Sequence, residues 1–185
     1  MPLSPPTHRK TIHHRLINMQ AFRRDDGLFD IEAHLVDTKP FAFARVSNPA
    51  PLPAGEPLHD LWVRVTVDGN FFIHGIEAAS DATPYSLCKE AETTLQSLIG
   101  ERMASGWSSR VKEKLRGAAS CTHLMELLIP IATTAFQGIM GAERDGQKVV
   151  DVSKVAVRLD SCYAYARDRS VVKTYWPQHY RSKPE

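Results

Sequence analysis

The stretch from Leu115 to Gly141, LRGAASCTHLMELLIPIATTAFQGIMG, constrains this chain more than any other. Leu124, Leu127, Leu128, Ile131 and Ala135 recur at helical spacing. Met125, Ile129, Phe136 and Met140 make the other faces apolar as well, so the spacing predicts a helix buried most of the way round. A chain with such a helix has to build its remaining elements around it. Gly117 is placed to end a preceding helix in the left-handed conformation, and Ser120 to cap the new one through its hydroxyl. Cys121 then takes the first helical position. Pro130 lies inside the run and cannot donate to the carbonyl of Glu126, which predicts a kink or a break there.

The start of this helix also carries chemistry. Amides at a helix N-terminus favour a thiolate, and His123 follows Cys121 by two residues, within reach of the same ion or substrate. The plainer alternative is a small buried cysteine beside a hydrogen-bonding core histidine, since a C-x-H triplet is a weak signal by itself.

Apolar residues make up 43% of the 185 and charged residues 24%, the balance of a globular chain that can bury a core without staples. No uncharged apolar run approaches the ~18–20 residues of a membrane span, so no membrane association is expected. The start, MPLSPPTHRK, lacks the apolar core of a secretory signal. Three cysteines are an odd, sparse set that argues against a disulfide framework and for a reducing cytoplasmic setting. The net charge of +2 says nothing of partners.

Residues 1–7 are Pro-rich and expected to be disordered, with a single α+β domain over 8–141 and a C-terminal extension over 142–185. Within the domain, 8–46 reads as an N-terminal hairpin. Its second strand, Leu28–Asp37, alternates Phe29, Ile31, Ala33 and Leu35 with Asp30, Glu32 and His34, after a turn at Asp25-Asp26-Gly27. Residues 8–24, with β-like stretches from Thr11 to Phe22, carry His8, Arg9, Lys10, His13, His14, Arg15, Arg23 and Arg24, a cluster able to attract anions. An acidic strand beside it balances this charge, and nucleic-acid binding is not expected. Residues 47–57, with four prolines, read as a loop.

A second hairpin opens the core segment, 58–141. Leu61, Val63, Val65 and Val67 alternate along its first strand, Asp68-Gly69-Asn70 makes the turn, and Phe71 to Ile76 returns. By the period of two, His59 shares the apolar face of Leu61, and Asp60 adjoins it. A histidine entering a core face at a strand end is a candidate metal ligand or base, or a satisfied structural histidine. Strands then give way to helices. Thr83 and Pro84 signal a helix over Pro84–Ile99 with Leu87, Ala91, Leu95 and Leu98 inward and Cys88 beside that stripe. Trp107–Arg116 is a short amphipathic helix with Trp107, Val111 and Leu115 inward.

Past Gly141 the chain turns polar, and Val149–Leu159 is β-like or extended. From Tyr163 onward five Lys or Arg and two acidic residues interleave with Tyr165, Tyr175, Trp176 and Tyr180. Such a tail can stack on bases. The expectation here is that its aromatics pack on the chain itself or on a homodimer or protein partner.

Laid side by side, HHR, DDGLFDIEAHLVDTK, PLHDLWVRVTVD, LIGERMASGW and SCTHLMELL resemble a bacterial family catalogued as domain of unknown function 2889, over roughly residues 9–165. That resemblance implies neighbours and no chemistry. Residues 55–140, two strands, a turn, a helix, a short helix and a cysteine opening a long helix, also resemble the U-type iron–sulfur-cluster scaffold fold. That family sets three cysteines and an aspartate around one site. Carried over, the aspartate is Asp60 and the last cysteine Cys121. The other two cysteine positions fall near Leu58, beside His59, and near Ala78, with Asp81 the nearest acid.

The sequence thus predicts an α+β fold: an antiparallel sheet of two hairpins with three helices on one face and a U-type scaffold-like core. Its leading site is a metal or reactive-thiol centre built from His59, Asp60, Cys121 and His123, with Asp81 or Cys88 as further candidates. Zinc takes Cys, His and Asp ligands, and iron accepts the same mix. The alternatives are a metal-free enzyme with Cys121 as nucleophile, and a binding or interaction module without catalysis.

Overall fold

Alternation builds the sheet. In the computed structural model, which describes residues 3–142 and 158–182, β2 (Phe29–Thr38) buries Ile31, Ala33, Leu35 and Asp37 and directs the intervening residues outward. β5 (Pro57–Val67) does the same with Leu61, Val63, Val65 and Val67. β1 (His14–Arg23) pairs with β2 across the Asp25-Asp26-Gly27 turn, and β6 (Ile73–Ala82) pairs with β5. All pairings are antiparallel, in the order β1-β2-β5-β6. The ladder shifts register between Asp37 and Thr38 on β2 and between Asp60 and Leu61 on β5, at the same end of the sheet.

Residues 47–57 are not all loop. Between β2 and β5, β3 (Phe43–Arg45) and β4 (Asn48–Leu52) form a two-stranded hairpin. Only Phe43↔Leu52 and Arg45↔Asn48 are paired, so Pro49 and Pro51 sit where no ladder amide is required, as proline in a strand must.

The helical elements between residues 86 and 142 lie on one face of the sheet and enclose a single apolar layer with it. The central helix, α2 (Thr122–Ala142), packs on β1, β2 and β5. It buries Leu124, Leu127, Leu128, Ile131, Ala135 and Ile139. It is not broken at Pro130. The Trp107 indole donates to the Leu128 carbonyl at 2.8 Å, and the hydroxyls of Thr133 and Thr134 donate to the Pro130 carbonyl, so this stretch of backbone is well supplied with partners. Gly138 permits close approach to β1, for a Cβ there would lie 2.5 Å from that of Ala21. Before it, α1 (Trp107–Leu115) turns Trp107, Val111 and Leu115 inward and ends as expected, with Gly117 at φ 65°.

The predicted helix over Pro84–Ile99 is instead a 3-10 helix over Ser86–Leu98. Thr83 does not cap it; its hydroxyl donates to the Tyr85 carbonyl. The hydroxyls of Thr93, Thr94 and Ser97 each donate to a carbonyl three residues back. Such local bonds offer the backbone an alternative to the α-helical pattern. With three residues per turn, Leu95 and Leu98 align inward, while Leu87 is 69% exposed.

The chain divides into two units, Met1–Glu143 and Arg144–Glu185. In the second, α3 (Ser170–Tyr175) buries Val172 against Leu159, with Trp176 and Tyr180 packed alongside, so these aromatics serve their own small core. Most of the extended stretch expected at Val149–Leu159 falls outside the described residues.

Leu128 is fully buried in the layer between α2 and the sheet. Leu128→Ala should therefore cost about 2–5 kcal/mol through lost burial and a residual cavity. A denaturant melt checks this, and a loss under about 1 kcal/mol would contradict the packing.

Candidate functional site

The antiparallel ladder sets one row of side chains across three strands. Arg15 on β1 pairs with Asp37 on β2, and Asp37 pairs with His59 on β5. All three project from the face that α2 covers. Asp37 is only 1% exposed, and a buried carboxylate needs compensation. Arg15 supplies most of it, donating from Nε to Oδ1 and from Nη2 to Oδ2, each at 2.7 Å. His13 Nε2 lies 3.1 Å from Oδ1 and His59 Nδ1 lies 3.0 Å from Oδ2. Burial pushes the Asp37 carboxyl upward, but Arg15 and then His59 outweigh it and hold the pKa at about 2.

That ionised carboxylate fixes the state of His59. A carboxylate only accepts, so Nδ1 of His59 is the protonated nitrogen that donates to it. Burial lowers the His59 pKa, the nearby His123 lowers it further, and Asp37 opposes both. His59 is thus neutral near pH 7 and carries its lone pair on Nε2.

The opening turn of α2 completes the group. The His59 and His123 rings lie 4.0 Å apart, centre to centre. One donor atom each from Asp37, His59 and His123 falls within 4.8 Å of the others. Cys121 Sγ is 3.9 Å from Nδ1 of His123. Cys121 itself, not Ser120, is the N-cap: its carbonyl accepts from the Met125 amide. The Ser120 hydroxyl is taken by Thr94 at 2.6 Å. Burial raises the Cys121 pKa, yet the His123 side chain and the amides of Leu124 and His123 bring it below the ordinary thiol value.

Of the residues singled out in the sequence, His59 and His123 are brought together, while Cys121 lies beside His123 and outside the group of donor atoms that Asp37, His59 and His123 form. Asp60 does not join them. It follows His59 in a strand and so projects to the opposite face, where His34 Nε2 donates to it at 2.6 Å and the His34 ring stacks on Trp62 at 3.5 Å. Asp81 is exposed and Cys88 is half-buried, and neither belongs to the group around Asp37, His59 and His123. Sequence reasoning missed Asp37, Arg15 and His13. Asp37 continues the buried series Ile31, Ala33, Leu35, and an acid in that register was a usable signal. The roles of Arg15 and His13 depend on strand pairing and left no local trace. No helix among the described residues is long and apolar enough to cross a membrane.

Because its folded pKa is depressed, Asp37 contributes stability above the ordinary carboxylate value of about 4. This is lost as the pH falls towards about 2. Arg15→Gln should cost about 1–3 kcal/mol at pH 7 and move the acid-unfolding midpoint upward. Denaturant melts between pH 2 and pH 7 check both. An unmoved midpoint would mean that Arg15 does not hold the carboxylate.

No curated protein and no solved structure matches this chain. The family model described as "Protein of unknown function (DUF2889)" matches residues 13–137, which span the whole sheet, both helices α1 and α2 as far as Gln137, and every residue of the Asp37 cluster. The chain belongs to the DUF2889 family.

Proposed function

We propose that this protein carries a transition-metal centre, zinc or iron, with His59, His123 and Cys121 as ligands and Asp37 as the carboxylate that orients His59. The observation that carries this reading is the meeting of His59 and His123, 4.0 Å apart, above a buried carboxylate. Two imidazole rings this close form a ready pair of donors for one bridging ion. Asp37 already gives both oxygens to Arg15, so it fits the outer position of a carboxylate–histidine–metal arrangement better than direct ligation. The Nε2 lone pair of His59, a nitrogen of His123 and the Cys121 sulfur are a Cys/His donor set suited to zinc, and also accepted by iron. Three protein ligands leave room for water or substrate, the arrangement of a Lewis-acid centre. Asp60, the aspartate that the iron–sulfur scaffold resemblance implied, has no part in this reading.

A metal-free reading has one observation in its favour. Cys121 caps a helix with His123 beside it and a lowered pKa, as in an activated nucleophile.

Elemental analysis of untagged protein purified without chelators separates the readings. The expected result is about one zinc or iron per chain, lost in both His59→Ala and His123→Ala and weakened or lost in Cys121→Ser, with the fold retained by circular dichroism. Metal-free protein whose Cys121 is alkylated rapidly by iodoacetamide at pH 7 would favour the nucleophile. Metal-free protein with an inert Cys121 would leave an interaction module.

A further inference from the structure

A second site lies outside the Asp37 cluster. The β3–β4 hairpin and the start of the 3-10 helix enclose a cleft of about 460 Å³. Arg45, Ser47, Asn48, Tyr85 and Ser86 line it, together with the apolar Pro84 and Leu87, and no carboxylate does. Arg45 is the one charged residue in the wall. Its Nε is buried and has no hydrogen-bond partner among the described residues. No ion pair forms at its guanidinium among those residues either, in contrast to Arg15, Arg24 and Arg64. Arg45 as a whole is half-buried, so the uncompensated loss of hydration is confined to this one nitrogen, and the outer guanidinium nitrogens are the ones that can meet a ligand.

The other groups in the wall donate or are free to do so. The Asn48 Oδ1 accepts from the Ala50 amide, which leaves its Nδ2 protons available. Tyr85 is the extended N-cap of the thirteen-residue helix, and it makes no side-chain capping bond. The first turn contains no acidic residue. The Cys88 amide donates to the Tyr85 carbonyl, and no side chain among the described residues accepts from the Ser86 and Leu87 amides. The Ser47 hydroxyl donates to the Pro84 carbonyl and so ties the hairpin to the helix start, holding the two walls together.

We propose that this cleft binds a phosphate group, with Arg45 as its charged clamp, Asn48 Nδ2 and the Ser86 hydroxyl as neutral donors, and the amides at the start of the 3-10 helix completing the cradle. A guanidinium matches phosphate geometry bidentately, and free amides at a helix start add donors of the same sense. The ligand is the phosphate of a small molecule, whose organic portion meets Pro84, Tyr85 and Leu87. This inference does not depend on the metal reading, since the two sites share no residue.

The test is titration of the ¹⁵N-labelled full chain with inorganic phosphate, against sodium chloride of equal ionic strength. Expected are saturable amide shifts concentrated at Arg45, Asn48, Ser86 and Leu87. Arg45→Gln should weaken this binding about tenfold or more, with Arg45→Lys intermediate. His59→Ala should leave it unchanged, which separates this cleft from anion binding at the Asp37 cluster. No saturable shift in the wild-type chain, shifts centred elsewhere, or an Arg45→Gln titration equal to wild type would each overturn the proposal. Should Arg45→Gln fail to fold, the wild-type shift map and Arg45→Lys decide alone.

Discussion

The Arg15–Asp37 pair is the interaction on which the rest of this structure depends. A carboxylate in the layer between sheet and helix would oppose folding if it were alone. Here a bidentate guanidinium and two imidazoles satisfy it, and in doing so they join β1, β2 and β5 at one end of the sheet. The same pair dictates chemistry. With Asp37 ionised, His59 has a single usable tautomer, and the lone pair it retains is on the nitrogen that Asp37 does not engage. The helix start then adds His123 and Cys121. Packing and reactivity are thus two consequences of one buried charge.

The two faces of the sheet divide their histidines between different tasks. His59 on the covered face meets His123 and Asp37. His34 on the open face stacks on Trp62 and bonds Asp60. Adjacent residues in a strand cannot serve one site unless the strand is bulged or twisted locally. The neighbouring pair His59-Asp60 is a case in point: proximity in sequence suggested a shared role, and the pleat assigns them to opposite sides.

Much of the fold was legible because periodicity leaves a direct mark. The alternation of Ile31, Ala33 and Leu35, and of Leu61, Val63 and Val65, gave the two central strands, and the i, i+3, i+4 spacing of Leu124, Leu127 and Leu128 gave α2. Where side-chain hydroxyls compete with the backbone, at Thr93, Thr94 and Ser97, the apolar spacing of a helix persisted while its hydrogen-bond pattern changed. Prolines in β4 hid a hairpin because their compatibility depends on which amides point away from a partner. In the candidate site, the meeting of His59 with His123 was legible from their places at a strand end and a helix start. Arg15 was not, because only the register of β1 against β2 brings it to Asp37, twenty-two residues away.

The register shift after Asp37 has a bearing on how this family can vary. A bulge takes up an extra residue locally and leaves the ladder on its far side in step. Its extra residue is Leu58 on β5, and the shift lies between the row that holds Arg15, Asp37 and His59 and the excursion that carries the β3–β4 hairpin. The hairpin arm is therefore mechanically insulated from the buried row. A change in the length of that arm can be taken up beyond the bulge, while the three-strand row stays in register.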